Sequence, residues 1–360
     1  MRLLILSCFA FVYAKQLSAQ IEQVELRGCE KTISSFALSS DEKLVYGIDY
    51  SSLFVWNAYN GELIGQKDIY ALTKSVVIDG VDCKGNFGRT KLDVATNRLF
   101  VLGDQYQKLL PDGSKVYYHG VIHILSLDPL DNSVKTYVLP NELKPTAVAV
   151  NPLKADEFIL CGSIKKRQVI SIFTLDSMKL TSFLFNEEVD FKSSSYPFFN
   201  SNPITFSSDG KFVYVGFGLK GVKGGFMFYD LEKGTSKKLV TNFVPEKIIL
   251  SDEEITVITK SKLTLIYDRN TLVQKKTYPA NYLAISSDKK YALERNLDSY
   301  LVFIKDFQQG SSKALTDFRI ADLAFNKAGD KLIISRLKGY LETLEEDQKN
   351  PSLYIIDFKP

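Results

Sequence analysis

The sequence has 360 residues and a formal net charge of +3, with 45% hydrophobic and 24% charged residues. This composition is ordinary for a globular protein and excludes an intrinsically disordered chain, and so small a net charge gives no reason to expect nucleic acid as the main partner. Two histidines and four cysteines leave little material for a metal centre built from those residues, so we expect no metal and no cofactor.

Residues 1–19 predict a secretory signal peptide. Arg2 supplies a positive charge, the apolar run from Leu3 to Tyr13 has the length of a signal-peptide core, and Ala14 or Ala19 provides a cleavage point. The alternative is a buried N-terminal strand. No other apolar run approaches the ~18 residues that a transmembrane helix needs. We therefore expect a secreted or periplasmic protein that does not span the membrane.

After this leader, one unit recurs along the chain: an apolar strand, a polar turn, and then further strands. The turn is clearest at Ser39–Lys43, Ser207–Lys211 and Ser286–Lys290, and looser versions bring the number of units to seven. Each turn precedes a run of β-branched or aromatic residues, such as Leu44-Val45-Tyr46 or Phe212-Val213-Tyr214. Such runs, bounded by turn residues, predict strands.

The third strand of each unit ends at an acidic residue or an asparagine. Short side chains of this kind accept hydrogen bonds from backbone N–H groups just ahead of them and so start tight turns. We therefore interpret these residues as structural and predict no catalytic residue among them. The seven positions are Asn57, Asp128, Asp176, Asp230, Asp268, Asp306 and Asp357.

Seven units of four strands predict an all-β fold, a seven-bladed β-propeller that occupies residues 20–360 as a single domain. The last unit has only three strands, and the alternating segment Ile21–Arg27 supplies one more at the N-terminus. We expect this segment to complete the last blade and close the ring, which hides a sheet edge. Helix signals are nearly absent, and only Leu337–Asp347 has a pattern compatible with a turn or two of helix.

These repeats resemble the seven-bladed WD40-like and YVTN-type β-propeller superfamily over about residues 21–360. Phe212–Val215 reads Phe-Val-Tyr-Val, which is similar to the bacterial YVTN-like group, and Trp56-Asn57 is similar to the tryptophan–aspartate dipeptide of WD40 repeats. The Gly-His pair of WD40 blades is missing, so their His–Asp hydrogen-bond network is not implied. The resemblance implies the fold and no particular activity.

Four long connections predict one elaborated face: residues 68–89, 104–119, 186–202 and 337–351. Their aromatic residues have the character of a binding surface, although they could instead fold back over the blades. Basic residues near them face an acidic run across the ring, which could orient a partner, although charge runs are commonly just solvated loops. The predicted partner-binding residues are Tyr106, Tyr117, Tyr118, Lys165, Lys166, Arg167, Tyr196, Phe198, Phe199, Lys220, Lys223 and Tyr340.

Removal of the leader leaves three cysteines. Cys29 and Cys83 fall in neighbouring units on the same predicted face, and an oxidising compartment allows a disulfide between them. Cys161 ends a core strand, which indicates a buried thiol. Mass spectrometry of the unreduced protein tests the proposed bridge.

Two classes of function remain. We favour an exported, monomeric binding or scaffolding module for a protein or glycan partner, because no catalytic motif is present; His119 and His123 are too far apart on one strand to share a metal ion. The alternative is a lactonase-like hydrolase with a carboxylate or metal site at the mouth of the channel. Converging carboxylates at the centre would favour the hydrolase, and an apolar plug would favour the binding module.

Overall fold

The computed structural model describes residues 23–78, 80–118, 120–139, 143–164, 167–175, 179–187, 204–218, 224–251, 253–259, 263–278, 282–286, 290–295, 301–315, 320–326, 330–338 and 351–357. The predicted signal peptide and residues 339–347 of the predicted helical stretch Leu337–Asp347 lie outside these residues. The chain divides into two compact units. The larger unit comprises Ser34–Val55 and Ile64–Tyr282, and the smaller unit comprises Met1–Ile33, Trp56–Leu63 and Leu283–Pro360.

The described residues form seven antiparallel sheets, and the sheet that holds the N-terminal strand comes last in the numbering used below. Strand β1 spans Gln23–Leu26. Sheet 1 contains β2 (Ser35–Leu38), β3 (Leu44–Ile48), β4 (Ser52–Asn57) and β5 (Leu63–Asp68). A helix, α1 (Ile69–Thr73), follows. Sheet 2 contains β6 (Ser75–Ile78), β7 (Val81–Asp93), β8 (Arg98–Leu109), β9 (Lys115–Tyr118), β10 (Val121–Ser126) and β11 (Val134–Val138).

The remaining sheets have four strands each, in simple up-and-down order. Sheet 3 contains β12 (Lys144–Asn151), β13 (Lys154–Ile164), β14 (Arg167–Thr174) and β15 (Lys179–Glu187). Sheet 4 contains β16 (Ile204–Phe206), β17 (Phe212–Gly218), β18 (Gly224–Asp230) and β19 (Thr235–Thr241). Sheet 5 contains β20 (Pro245–Leu250), β21 (Glu254–Thr259), β22 (Thr264–Asp268) and β23 (Gln274–Tyr278). Sheet 6 contains β24 (Tyr282–Ile285), β25 (Tyr291–Arg295), β26 (Val302–Asp306) and β27 (Ser312–Ala314). Sheet 7 contains β28 (Ile320–Phe325), β29 (Lys331–Arg336), β30 (Leu353–Asp357) and β1.

The N-terminal strand pairs with the C-terminal one, as the sequence predicts. β1 runs antiparallel to β30, with Val24 opposite Ile355 and Leu26 opposite Leu353. Leu26 is fully buried. Sheet 7 therefore takes three strands from the end of the chain and one from its beginning.

The acidic residues and the asparagine that end the third strands act as turn formers. The Asn57 side chain accepts a hydrogen bond from the Tyr59 backbone N–H at 2.8 Å, and Asp306 does the same for Gln308 at 2.7 Å. Equivalent bonds occur at Asp128, Asp230 and Asp268. These bonds confirm the structural interpretation at the five positions, because each side chain is occupied by its own turn.

In sheets 1 and 4 a serine fixes the first turn between two strands. Ser207 Oγ accepts the backbone N–H of Phe212 at 3.0 Å and donates to the Asp209 carboxylate. Ser39 accepts the N–H of Leu44 at 3.0 Å in the equivalent turn of sheet 1. The serine thus satisfies a backbone donor that a two-strand hairpin would otherwise leave without a partner.

The core of each unit lies between successive sheets. In the larger unit, Ile48, Leu53 and Val55 of sheet 1 pack against Leu99 and Val101 of sheet 2. The same arrangement joins sheets 2 and 3, 3 and 4, and 4 and 5. In the smaller unit it joins sheets 6 and 7. Sheets 2, 3 and 4 therefore bury both faces, which explains why their middle strands are apolar almost throughout.

Cationic side chains also fasten neighbouring sheets in the larger unit. Lys67 on β5 donates from Nζ to the Ser126 carbonyl of sheet 2 at 2.8 Å. Arg98 on β8 donates to the Ala155 carbonyl of sheet 3 at 2.6 Å. Backbone carbonyls thus accept hydrogen bonds from these partly buried cations.

Candidate partner-binding site

Sheet 2 is larger than its neighbours because two of its strands continue beyond the others. β7 has 13 residues and β8 has 12, and they stay paired from Asp93 opposite Arg98 to Lys84 opposite Gln107. Their far halves gain β6 on one side and β9 on the other. We call the four-stranded part formed by β6, residues 81–87, residues 103–109 and β9 the sheet-2 extension.

This extension corrects the sequence analysis, which predicted loops at 68–89 and 104–119. The residues form strands there, preceded by the helix α1. Gly80 lies in the turn between β6 and β7, and Asp112-Gly113 lies in the turn between β8 and β9. Gly80 has φ +76° and Gly113 has φ +81°, a backbone conformation that glycine adopts without strain. In the sequence Asp79-Gly80 stands between Ile78 and Val81, and an Asp-Gly pair flanked by β-branched residues is a strong hairpin signal that could have identified the β6–β7 hairpin.

Helix α1 begins at a capping aspartate. The Asp68 side chain accepts the backbone N–H of Ala71 at 2.8 Å, which satisfies one of the donors that the first helical turn leaves unpaired. Thr73 closes the helix with a hydrogen bond from its hydroxyl to the Ile69 carbonyl at 2.8 Å. The helix has only five residues, so neighbouring contacts must hold it in place.

The two faces of the extension differ sharply. On one face Val76, Ile78, Cys83 and Tyr106 are buried and pack together with Val121. On the other face, the pairing of the strands places Ser75, Lys84, Gln107 and Tyr117 in one row across four strands. All four residues of this row are exposed, and so is Val77 beside them, at 62%. The extension therefore presents a flat surface that carries a lysine, an amide and an aromatic ring.

A chain of buried hydrogen bonds ties the extension to the rest of sheet 2. Tyr106 Oη lies 2.6 Å from the Thr73 carbonyl and 2.6 Å from His123 Nε2, and His123 Nδ1 lies 2.9 Å from Thr136 Oγ1. A carbonyl only accepts, so the tyrosine hydroxyl donates to Thr73. His123 must then donate from Nε2 to the tyrosine, and the threonine hydroxyl donates to Nδ1.

His123 is a neutral imidazole because burial disfavours its charged form. The side chain is fully buried, and burial lowers its pKa to about 4. Burial also raises the pKa of Tyr106, which stays protonated. The chain from Thr136 through His123 and Tyr106 to Thr73 is thus uncharged and fully satisfied, and it positions the end of α1 against β8.

The structure places the three tyrosines of the predicted site differently. Tyr106 is fully buried with its hydroxyl engaged, so its assignment to the partner-binding surface is wrong. The sequence places Tyr106 on that surface only if residues 104–119 form a loop. Tyr117 is 49% exposed, on the open face of the extension. Tyr118 pairs with Tyr106 in the backbone register.

The other predicted contact residues are not brought together by the described part of the chain. Arg167 begins β14, where its backbone pairs with Ile164. The rest fall outside the described residues: Lys165, Lys166, Tyr196, Phe198, Phe199, Lys220, Lys223 and Tyr340.

Cys29 and Cys83 are both buried, and the disulfide between them stays a prediction of the sequence. The Cys29 thiol donates to the Lys31 carbonyl at 3.2 Å, and the Cys83 thiol donates to the Val81 carbonyl at 3.6 Å. Cys83 faces the apolar cluster under the extension rather than an open surface. Cys161 is a buried thiol as predicted, and burial raises its pKa.

Comparison with known proteins decides the fold. No protein-family model matches the sequence, and no curated protein matches it. Among solved structures, the chain is similar to the β-propeller domain of Cps50 (Swd1) from Myceliophteria thermophila, with a TM-score of 0.57, 9% identity, and coverage of 94% of this chain and 99% of that chain. The chain is a β-propeller. At 9% identity the likeness shows the fold alone.

The sheets of a β-propeller surround a central channel, which the first strand of each sheet lines. In sheet 2 that strand is the half of β7 from Arg89 to Asp93, whose free edge has no pairing strand among the described residues. In sheet 5 it is β20. Lys91 lies on this half of β7, and Lys247 lies on β20.

Two further properties bear on the predicted classes of function. Within the described ranges, no three His, Cys, Asp or Glu side chains lie close enough together to hold a metal ion. Across the same ranges, no helix has the length and apolar character needed to cross a membrane.

Proposed function

We propose that the chain is an exported, seven-bladed β-propeller that binds a protein partner through the sheet-2 extension. The observation that carries this proposal is the open face of the extension, where Val77 and Tyr117 are exposed beside Lys84 and Gln107. A propeller needs no such addition to bury its core, and structure beyond that minimum is commonly functional.

The geometry favours a polypeptide over a glycan. Strand β9 pairs only with β8 among the described residues, so its outer edge presents backbone N–H and C=O groups in a row. An extended peptide can add to such an edge as a further strand, while exposed side chains on the neighbouring face supply specificity. Tyr117 lies on that edge strand.

The count of seven blades and the closed ring belong to this proposal as well. The seven sheets of the described residues and the pairing of β1 with β30 support both. Export rests on the sequence of residues 1–19. Mass spectrometry of protein recovered from the periplasm or medium tests it, since export predicts a mature N-terminus after Ala14 or Ala19, and a protein retained in the cytoplasm with Arg2 intact would contradict it.

A pair of surface variants tests the binding surface. Val77→Ser combined with Tyr117→Ser removes the apolar groups of the open face without touching its buried side. The matched control is Val240→Ser combined with Tyr59→Ser, because Val240 is 53% exposed and Tyr59 is 63% exposed elsewhere in the chain. Both proteins and the unaltered chain are used as bait in the native extracellular or periplasmic fraction.

We expect the unaltered bait and the control to recover the same partner, and the Val77/Tyr117 variant to lose it at least tenfold. Equal recovery by all three baits would show that the partner docks elsewhere. No observation on the described residues favours the lactonase-like hydrolase, which stays a prediction of the sequence.

A further inference from the structure

The outer edge of β9 offers backbone hydrogen bonds at two residues. In the turn before this strand, the Leu110 N–H donates to the Ser114 carbonyl at 2.9 Å, so the backbones of these two residues face one another. Antiparallel pairs alternate between those that exchange hydrogen bonds and those that do not. Lys115 comes next in the chain and Tyr117 lies two residues beyond it, so both belong to pairs without hydrogen bonds to β8. The N–H and C=O groups of Lys115 and Tyr117 therefore point towards the open edge.

The same two residues carry their side chains on the open face of the sheet-2 extension. Successive side chains of a strand alternate between its faces, so Lys115 shares the face of Tyr117. Lys115 is exposed, and its side chain forms no hydrogen bond or ion pair with another residue in the described part of the chain. Asp82 is an acid on this face, but it lies on β7, two strands and about 10 Å from Lys115. The edge thus combines a cation that no acid neutralises with an exposed aromatic ring.

An antiparallel strand added to this edge has a restricted register. Within β9 its hydrogen bonds can form only with Lys115 and Tyr117, so one of its residues lies opposite Tyr117 and the residue two positions later lies opposite Lys115. Paired side chains on one face stand about 5 Å apart, which favours an apolar residue opposite Tyr117 and an acidic residue opposite Lys115. The residue between them takes the other face, beside Val116, which is 37% exposed and favours an apolar neighbour.

We propose that a polypeptide partner adds an extended segment with the pattern apolar, apolar, acidic to β9 as an antiparallel strand. This inference rests on the function proposed above and assigns the chemistry of the segment that the extension binds. Backbone groups of Lys115 and Tyr117 supply the hydrogen bonds, and the side chains on the two faces supply specificity. A segment with a lysine or arginine at the third position is disfavoured, because like charges then lie directly opposite one another.

Synthetic peptides test the pattern and the register. The probe is the fluorescein-labelled peptide Ser-Thr-Phe-Val-Glu-Thr-Ser, compared with a form in which lysine replaces the glutamate. Two further forms of the glutamate peptide carry one N-methyl group, either at the phenylalanine or at the valine. In the proposed register the phenylalanine N–H donates to β9 and the valine N–H points away, so methylation distinguishes edge pairing from contact through side chains alone. Fluorescence anisotropy measures the binding of each form to the full chain.

We expect the glutamate peptide to bind, and the lysine peptide to bind about tenfold more weakly. Methylation at the phenylalanine should abolish binding, and methylation at the valine should leave it unchanged. Lys115→Glu should reverse the preference, so that the lysine peptide binds better than the glutamate peptide. The control is Lys135→Glu, because Lys135 is an exposed lysine on the outer strand β11, and it should keep the preference of the unaltered chain.

Three results would overturn the proposal: no binding of the glutamate peptide, equal effects of the two methyl groups, or an unchanged preference in Lys115→Glu. The same variant, used as a further bait in the native fraction, separates this inference from the proposed function. Loss of the partner by Lys115→Glu but not by Lys135→Glu supports the pattern. If the Val77/Tyr117 variant loses the partner while Lys115→Glu recovers it fully, the extension binds the partner and the pattern is wrong. Full recovery by every bait would contradict both proposals.

Discussion

Two residues at the same place in the first turns of sheets 1 and 4 share a left-handed backbone conformation but differ in side chain. Glu42 has φ +57° in the turn of sheet 1, and Gly210 has φ +64° at the matching place in sheet 4. Only the glycine adopts this conformation without strain. The serine and aspartate beside these residues therefore determine the turn, and Glu42 adopts the left-handed backbone conformation that this turn requires.

We predict that Glu42→Gly stabilises the protein by about 0.5–1 kcal/mol, because it relieves a left-handed backbone conformation at a half-buried position. The matched change Gly210→Ala should destabilise it, since the added Cβ would meet Asn151 Oδ1 at 2.4 Å as well as straining the backbone. Urea denaturation measures both. A Glu42→Gly variant less stable than the unaltered protein would show that the glutamate side chain matters more than the backbone.

His123 should make the protein sensitive to acid. Its pKa is lowered to about 4 in the folded state against an ordinary 6.5, so the unfolded chain binds more protons between those values. The stability from this residue is complete above pH 6.5 and is lost as the pH falls towards 4. The loss amounts to about 3 kcal/mol, from 1.36 kcal/mol per unit of pKa.

The measurement is the free energy of unfolding at several pH values between 4 and 7. His123→Gln, which keeps a donor for Tyr106 but does not titrate, should flatten the decline over that range, although its stability at pH 7 can be lower. Parallel curves for the variant and the unaltered protein would mean that other groups cause the acid sensitivity.

At the scale of elements, the sheet-2 extension depends on its buried hydrogen bonds. Tyr106→Phe removes the hydroxyl that bonds Thr73 and leaves the His123 N–H without an acceptor, which costs about 1–3 kcal/mol. We predict faster amide exchange in α1 and β6 than in the unaltered protein, with little change in β17. The control is Tyr46→Phe, a second buried tyrosine in the larger unit. Unchanged amide exchange in β6 would show that the Tyr106 hydroxyl does not hold the extension in place.

The elements that the sequence predicts are those with a repeated chemical signal. Each run after a first turn lies in a strand, from Leu44–Tyr46 in β3 to Leu332–Ile334 in β29, because the serine turn and the apolar run reinforce each other. The sheet-2 extension lacks this repeated signal. Its strands β7 and β8 carry exposed polar residues such as Asp82, Lys84 and Gln107, and polar residues of this kind are also typical of loops. The helix α1 is too short to produce a periodic signal.

Part of the candidate site could likewise be predicted, and part could not. Tyr117 was identified from composition alone and is exposed. Tyr106 was identified by the same argument and is buried, because only the register of β7 and β8 determines which face a strand residue takes.

For the whole molecule, the last sheet depends on its N-terminal strand. Leu26→Ala removes a fully buried side chain from β1 and should lower the free energy of unfolding by about 3 kcal/mol. Gln23→Ala, at an exposed position on the same strand, should change it by less than about 0.5 kcal/mol. Equal, small effects in urea denaturation would show that β1 does not hold sheet 7 together.

Hydrogen exchange of the propeller, alone and bound to the partner recovered from the native fraction, tests the central claim most directly. The account predicts that binding slows exchange in the sheet-2 extension, at residues 75–78, 81–87 and 103–118, and leaves the outer strand β19 unchanged. Protection confined to β19 or to other outer strands, with none in the extension, would contradict it.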